Sequence, residues 1–163
     1  MQLSPDRYWW LIPTSFVFAF LWQFWPLSFT FRPYMPDAIV TVTLYWVMQR
    51  PPRMGGGWAL VIGILRDNLT GTALGTHAFA LIFVAFLVQL LSERLRSLAI
   101  WQQAMLVGLL CLIYQLVSNS IGLWMSHLDA PLFALPSVLI TALCWPVCFA
   151  ILNLLEHGYL HRS

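Results

Sequence analysis

The chain has few charged residues and no lysine. Only 9% of its 163 residues are charged, and all eight basic residues are arginine. Soluble domains carry roughly 25% charged residues, so this chain has too few to cover a surface that faces water. Hydrophobic residues make up 60% of the sequence, which excludes a disordered chain, because disorder requires low hydrophobicity and high net charge. The composition therefore predicts an integral membrane protein.

The sequence also lacks the motifs that carry common chemistries. It has no glycine-rich phosphate loop, no His-Glu-x-x-His sequence, no Ser or Cys nucleophile with a His base, and no carboxylate pair on one helix. It has no run of basic residues, so the sequence gives no sign of a positively charged surface that would bind nucleic acid. Cys111, Cys144 and Cys148 lie in apolar stretches, where packing is the usual role of cysteine. His157 and His161, with Glu156 nearby, are interpreted as residues of the tail rather than as a metal site. These absences predict a protein that is not an enzyme and has no metal or cofactor.

The charged residues divide the chain into apolar segments. Six predicted spans cover residues 8–28, 33–49, 55–67, 76–92, 99–125 and 131–155. A helix that crosses a bilayer takes roughly 20 residues, so six such helices leave no room for a soluble domain of even ~50 residues. We therefore expect residues 1–163 to form a single all-α domain with six transmembrane helices.

The arginines predict the orientation of these helices. If the N-terminus is cytoplasmic, the opposite side holds only Arg32 and Arg66. The cytoplasmic side then holds the other six, which are Arg7, Arg50, Arg53, Arg94, Arg96 and Arg162. Because cytoplasmic loops of membrane proteins are enriched in arginine and lysine, both termini are predicted to be cytoplasmic.

Five polar residues form the candidate functional site. They are Arg32, Asp37, Arg66, Asp67 and Asn68. An ionisable group at mid-depth in a bilayer costs about 2.5–3.5 kcal/mol on insertion scales, so its presence calls for a reason. One interpretation places Arg66 and Asp67 in the headgroup region at a loop. The other turns Asp67 toward a neighbouring helix or an outward cavity, with Arg32 or Arg66 neutralising Asp67 or Asp37.

Small residues recur every four positions on either side of Asp67. They are Gly55, Ala59, Gly63, Gly71 and Gly75. Small residues at this spacing allow another helix to approach closely. The stripe is therefore a candidate for helix packing within the chain or for docking of a partner helix. Residues 68–75 are polar or small and predict a turn or a re-entrant segment, and His77 after them is predicted to be a packed or interfacial residue.

Five short motifs along nearly the whole chain together resemble the bacterial rod shape-determining protein MreD family. The motifs are Phe31-Arg32-Pro33, Leu44-Tyr45-Trp46, Gly63-x3-Asp67-x3-Gly71-x3-Gly75, Leu98-Ala99-Ile100-Trp101-Gln102-Gln103 and Trp145-Pro146. Each is weak alone, and the ordered set is more specific. Arg66 and Asn68 depart from the apolar residues expected beside Asp67, which favours a polar turn that faces outward.

The resemblance implies a function and a fold. It implies a non-enzymatic subunit of the cell-elongation machinery in the bacterial inner membrane. The expected partner is a single-span protein like MreC, and through it an MreB-like actin homologue and the peptidoglycan synthases. The implied fold is similar to the substrate-binding subunits of energy-coupling-factor transporters. The alternative is a small-molecule-binding membrane subunit of a transporter, with a polar outward cavity lined by residues such as Arg32, Asp67 and Asn119.

Overall fold

The part of the chain that the structure describes folds into six α-helices. The structure is a computed structural model, and it describes residues 10–26, 34–50, 55–126 and 135–158. The helices are α1 (Leu11–Gln23), α2 (Ala38–Gln49), α3 (Gly56–Thr70), α4 (Thr76–Ser97), α5 (Ile100–Ser126) and α6 (Leu135–Gly158). The prediction of an all-helical protein is confirmed.

Three of these helices are long and apolar enough to cross a membrane. The qualifying segments are Thr76–Ser97, Ile100–Met125 and Leu135–Glu156, while α1 and α2 are shorter apolar helices. The outer faces of the long helices carry exposed aromatic and aliphatic side chains, such as Phe79 and Phe86 on α4 and Leu143 and Val147 on α6. Large apolar surfaces of this kind are rare on soluble monomers and typical of contact with lipid or protein. That all six helices cross the membrane, and that both termini are cytoplasmic, stay predictions.

Helix α2 occupies the centre of the bundle. It contacts α1, α4, α5 and α6, and it is buried on nearly all sides, with Tyr45 and Trp46 almost fully enclosed. Apart from Gln49 at its end, its residues are apolar or hydroxyl-bearing around the whole circumference, as expected for a helix that has no face in water. Asp37 caps its first turn by accepting a hydrogen bond from the Val40 amide at 3.2 Å. The helix therefore begins at residue 38 rather than at the predicted start of the span, residue 33.

Helices α3 and α4 form a tight antiparallel hairpin. A Cβ atom at Gly63 would lie 2.2 Å from the Cα atom of Ala78, so the two backbones touch at this point. Helix α3 ends at Gly71, which has a φ of +68° and adopts the left-handed conformation that favours glycine. Residues 68–70 therefore belong to the helix, and the turn is shorter than the sequence indicated. Gly75, with a φ of +101°, ends the turn.

The small-residue stripe is used inside the chain. Gly63 and the fully buried Ala59 face into the bundle, whereas Gly71 and Gly75 shape the turn. A Cβ atom at Gly55 would lie 2.8 Å from the Gln89 side-chain amide of α4. Of the two roles that the sequence left open, packing within the chain is the one that the structure shows at Gly63. This glycine is not accessible to a partner helix while α4 covers it.

Candidate functional site

A buried ion pair joins the start of α2 to the C-terminal half of α3. The two terminal nitrogens of the Arg66 guanidinium donate hydrogen bonds to the two carboxylate oxygens of Asp37, at 2.8 and 2.9 Å. Both side chains are at most 10% exposed. The two-point geometry matches the planar fork of arginine to a carboxylate, which makes the pair stronger and more directional than a single contact.

Helix α6 contributes to the same site through Thr141. The Asp37 backbone amide donates a hydrogen bond to the Thr141 hydroxyl at 2.9 Å, and this hydroxyl donates to the Ser137 carbonyl at 2.7 Å. The amide belongs to the first residue before α2, where the helix offers it no partner of its own. Thr141 is fully buried, so this contact fixes the start of α2 against α6.

Two aromatic groups complete the site from α4 and α5. The Arg66 guanidinium carbon lies 5.3 Å from the centre of the Tyr114 ring, within range of a cation–π contact. The Tyr114 hydroxyl is 2.9 Å from Nδ1 of His77, and the two rings are stacked. His77 is thus a packed residue, which agrees with its predicted role. Five helices, α2 to α6, meet around Arg66.

Asp67 serves a different purpose from that of its neighbour. Its carboxylate accepts hydrogen bonds from the backbone amides of Gly75 and His77, at 2.8 and 2.9 Å, and from the Thr72 hydroxyl at 3.1 Å. Free amides and the positive end of the helix dipole make the start of a helix favourable for a negative charge. Asp67 therefore caps α4 from α3, and it is 0% exposed.

The structure brings some of the predicted site residues together and separates others. Among the ion pairs that the sequence allowed, Arg66 with Asp37 is formed, whereas Asp67 is occupied by the start of α4. Asp67 faces its neighbouring helix rather than an outward cavity. Asn68 lies outside the cluster: it is exposed, and its side-chain amide donates to the Ile64 carbonyl at 2.9 Å. Arg32 lies outside the described residues.

Sequence reasoning missed the contributions of Thr141 and Tyr114. Thr141 lies 104 residues from its partner Asp37, and Tyr114 lies in a long apolar segment with no local sign of a polar partner. A buried threonine or tyrosine in such a segment signals only that a hydrogen-bond partner is needed. The neighbouring helix that supplies this partner is a property of the fold.

A second ion pair lies at the opposite end of α2. The Arg50 guanidinium donates to the Glu156 carboxylate at 2.9 Å, and the Tyr45 hydroxyl donates to the same carboxylate at 3.2 Å. The two charged side chains are 26% and 16% exposed, so this pair is less buried than the first. The end of α2 is thereby attached to the end of α6, and ion pairs hold both ends of the central helix.

The chemical capacity of the cluster is limited by how its groups are engaged. The two carboxylates are bound within the chain, and in the described part of the chain no group of three His, Cys, Asp or Glu side chains is placed to hold a metal ion. Nε of Arg66 is buried and has no hydrogen-bond partner among the described residues. The arrangement is that of a junction between helices, in which charges and hydroxyls hold five segments in register.

Comparison with known proteins gives a consistent result over most of the chain. The family profile for rod shape-determining protein MreD matches residues 6–155. A curated relative, the rod shape-determining protein MreD of Haemophilus influenzae, is 32% identical over 157 residues, which cover 94% of each chain. No solved structure matches.

Proposed function

This chain belongs to the rod shape-determining protein MreD family, and we propose that it is a non-enzymatic subunit of the bacterial cell-elongation complex. The observation that carries the proposal is the family match over residues 6–155. The described helices agree with it, because three of them are long and apolar enough to cross a membrane. In this role the chain maintains rod shape by supporting the insertion of peptidoglycan along the side wall.

The proposed setting is the inner membrane, with all six helices crossing it as one domain and both termini in the cytoplasm. The arginine distribution supports this orientation, since six of the eight arginines then lie on the cytoplasmic side. It places the α3–α4 turn, residues 71–75, on the outer side. The proposed membrane fold is similar to that of the substrate-binding subunits of energy-coupling-factor transporters.

The proposed direct partner is a single-span membrane protein like MreC. Through this partner, the chain would be linked to an MreB-like actin homologue and to peptidoglycan synthases. A protein whose sequence leaves almost no room outside the bilayer has to act through its membrane surface, and transmembrane helices associate by close packing and interhelical hydrogen bonds. Because Gly63 is covered by α4, the docking surface is expected on another face of the bundle.

The polar cluster supports a scaffold over the alternative of a small-molecule-binding subunit. A ligand site needs polar groups that converge on an open volume. Here the carboxylates of Asp37 and Asp67 are buried and already accept hydrogen bonds from the chain itself. Asn68, another residue of the candidate functional site, is exposed and donates to the Ile64 carbonyl of its own helix.

The proposal is tested by depletion and purification in the bacterium that encodes the chain. Depletion of the chain should turn rods into rounded cells, and a plasmid copy should restore the rod shape. An affinity-tagged copy extracted in mild detergent should retain a single-span partner of the MreC type, while an unrelated six-span protein carrying the same tag should not. Rod-shaped cells after full depletion would contradict the proposed function.

A further inference from the structure

Helix α3 is short for a transmembrane helix, and its length is fixed at both ends. It begins after Gly55 and ends at the left-handed Gly71, which leaves 15 residues. At 1.5 Å per residue this is about 22 Å, whereas the hydrocarbon core of a bilayer is ~30 Å thick. Several apolar side chains on α3, such as Val61 and Ile64, are exposed, so α3 lies at the perimeter of the bundle. The surrounding lipid therefore has to match a helix that is shorter than the hydrocarbon core is thick.

The helices beside it extend further in the direction of the α3–α4 turn, here called the turn side. His77, at the start of α4, contacts Tyr114 of α5, and α5 continues for 12 residues beyond Tyr114 to Ser126. Asp37, at the start of α2, contacts Thr141, which lies six residues inside α6. At 1.5 Å per residue, α5 extends about 18 Å past the start of α4, and α6 extends about 9 Å past the start of α2.

The exposed side chains of these two parts differ. The extension of α5 exposes Ser120, Trp124 and Met125, and that of α6 exposes Leu135 and Leu139. Tryptophan near the end of a span is typical of the membrane–water interface, so the interface beside α5 lies near Trp124. At the level of the α3–α4 turn, exposed polar side chains stand beside exposed leucines; these residues are Asn68, Leu69, Thr70, Thr72 and Leu74.

We propose that the bilayer is indented around the α3–α4 turn: lipid headgroups on the turn side descend there to the level of the Asp37–Arg66 pair, while the same leaflet keeps its full height along α5 and α6. The inference rests on the membrane embedding proposed above. A helix that is too long can tilt, whereas a helix that is too short is accommodated by local thinning of the bilayer or by association with another helix; the inference here is thinning beside α3. The occupant of this face is therefore lipid headgroup, and the buried ion pair lies close below it.

The experiment compares two cysteine variants at the same height and with the same exposure. Leu74 in the turn and Leu139 on α6 are both 65% exposed. Leu74 precedes Gly75, whose amide contacts Asp67, and Leu139 lies two residues before Thr141, which contacts Asp37. Leu74→Cys and Leu139→Cys are made in a chain whose native cysteines are replaced by alanine. Each purified variant is reconstituted in phosphatidylcholine vesicles and labelled with a charged maleimide.

The indentation predicts that Leu74→Cys reacts at least about tenfold faster than Leu139→Cys, because a thiol has to reach water to ionise and react. Equal rates in protein that alkaline carbonate does not extract would overturn the indentation and leave the embedding intact. Protection of Leu74→Cys at high protein density, relieved by dilution with lipid, would overturn it in favour of a second copy on this face. Equal, fast rates in protein that carbonate extracts would overturn the embedding and the inference together.

Discussion

Arg66 and Asp67 are adjacent in the chain, and each is bound by a different set of neighbours. Consecutive residues on a helix point about 100° apart, so Arg66 reaches Asp37 of α2 while Asp67 reaches the first amides of α4. Neither charge is left alone in an apolar interior, where an unpaired charge would be very costly. The two residues together attach α3 to both of its buried neighbours, which explains why such polar residues are placed in a segment that otherwise favours lipid.

Removal of one member of the buried pair should be far more harmful than removal of both. Asp37→Ala leaves the Arg66 charge uncompensated, and we expect a loss of about 3–5 kcal/mol in unfolding free energy. The double variant Asp37→Asn with Arg66→Met should recover most of that loss, because asparagine retains the cap of α2 and methionine carries no charge. Reversible unfolding in detergent micelles measures the unfolding free energies of the unmodified chain, the single variant and the double variant.

The pair at the other end of α2 provides the matched control. Glu156→Gln removes the charge from a more exposed pair and should change the unfolding free energy by only about 0–1 kcal/mol. An Asp37→Ala variant that loses no more stability than Glu156→Gln would contradict the role assigned to the buried pair.

The hairpin of α3 and α4 depends on the absence of a side chain at one position. Gly63 lies against the backbone of Ala78, whereas Gly57, on the same helix, has open space around the position of a Cβ atom. In the bilayer, helices associate through close backbone approach of this kind, because lipid tails are as apolar as the side chains that they would replace. Substitutions at these two glycines therefore distinguish the effect of close helix packing on stability from the effect of helix propensity.

Gly63→Ala should destabilise the protein by about 1–3 kcal/mol, since the added methyl group forces α3 away from α4. Gly57→Ala should be neutral, or should stabilise by up to about 1 kcal/mol, because alanine is the better helix former. Thermal unfolding in detergent measures both variants. If both substitutions raised the stability equally, the contact between α3 and α4 would not be as close as the structure places it.

The bundle as a unit is organised around the shortest helix. Helix α2, of 12 residues, is enclosed by α1, α4, α5 and α6 and is held at each end by an ion pair. The long helices α4, α5 and α6 pack against it and present apolar side chains outward. Charged groups therefore lie at the two ends of the central helix and apolar side chains lie at the perimeter, as expected for a protein whose perimeter contacts lipid.

The orientation of the bundle gives a prediction that labelling can check. The two test positions are Arg94, in the charged last turn of α4, and Arg162, near the C-terminal end of the sequence. Cysteines introduced at both positions should react with an impermeant reagent from the same side of the membrane. Both should react in inverted vesicles and not in intact spheroplasts. Reaction of the two positions from opposite sides would contradict the six-span layout.

Local features of the chain were sufficient to predict the class of the protein and the residues of interest. Low charge and long apolar segments exclude a soluble fold on energetic grounds alone, and an arginine or aspartate in such a segment is expensive wherever it lies. Helical structure, and the need of Arg66 and Asp67 for partners within the chain, were accessible for that reason. The glycine spacing likewise indicated that one face of α3 permits close approach, without indicating which helix approaches.

The partners of these residues were decided by the packing of helices that are far apart in the chain. Arg66 had two acidic candidates, and the one beside it in sequence, Asp67, is bound by the start of α4. Thr141 and Tyr114 enter the cluster because α5 and α6 pack against α2, an arrangement that no local pattern encodes. The energy of a buried charge depends on what surrounds it within a few ångströms, and in this chain those surroundings come from five different helices.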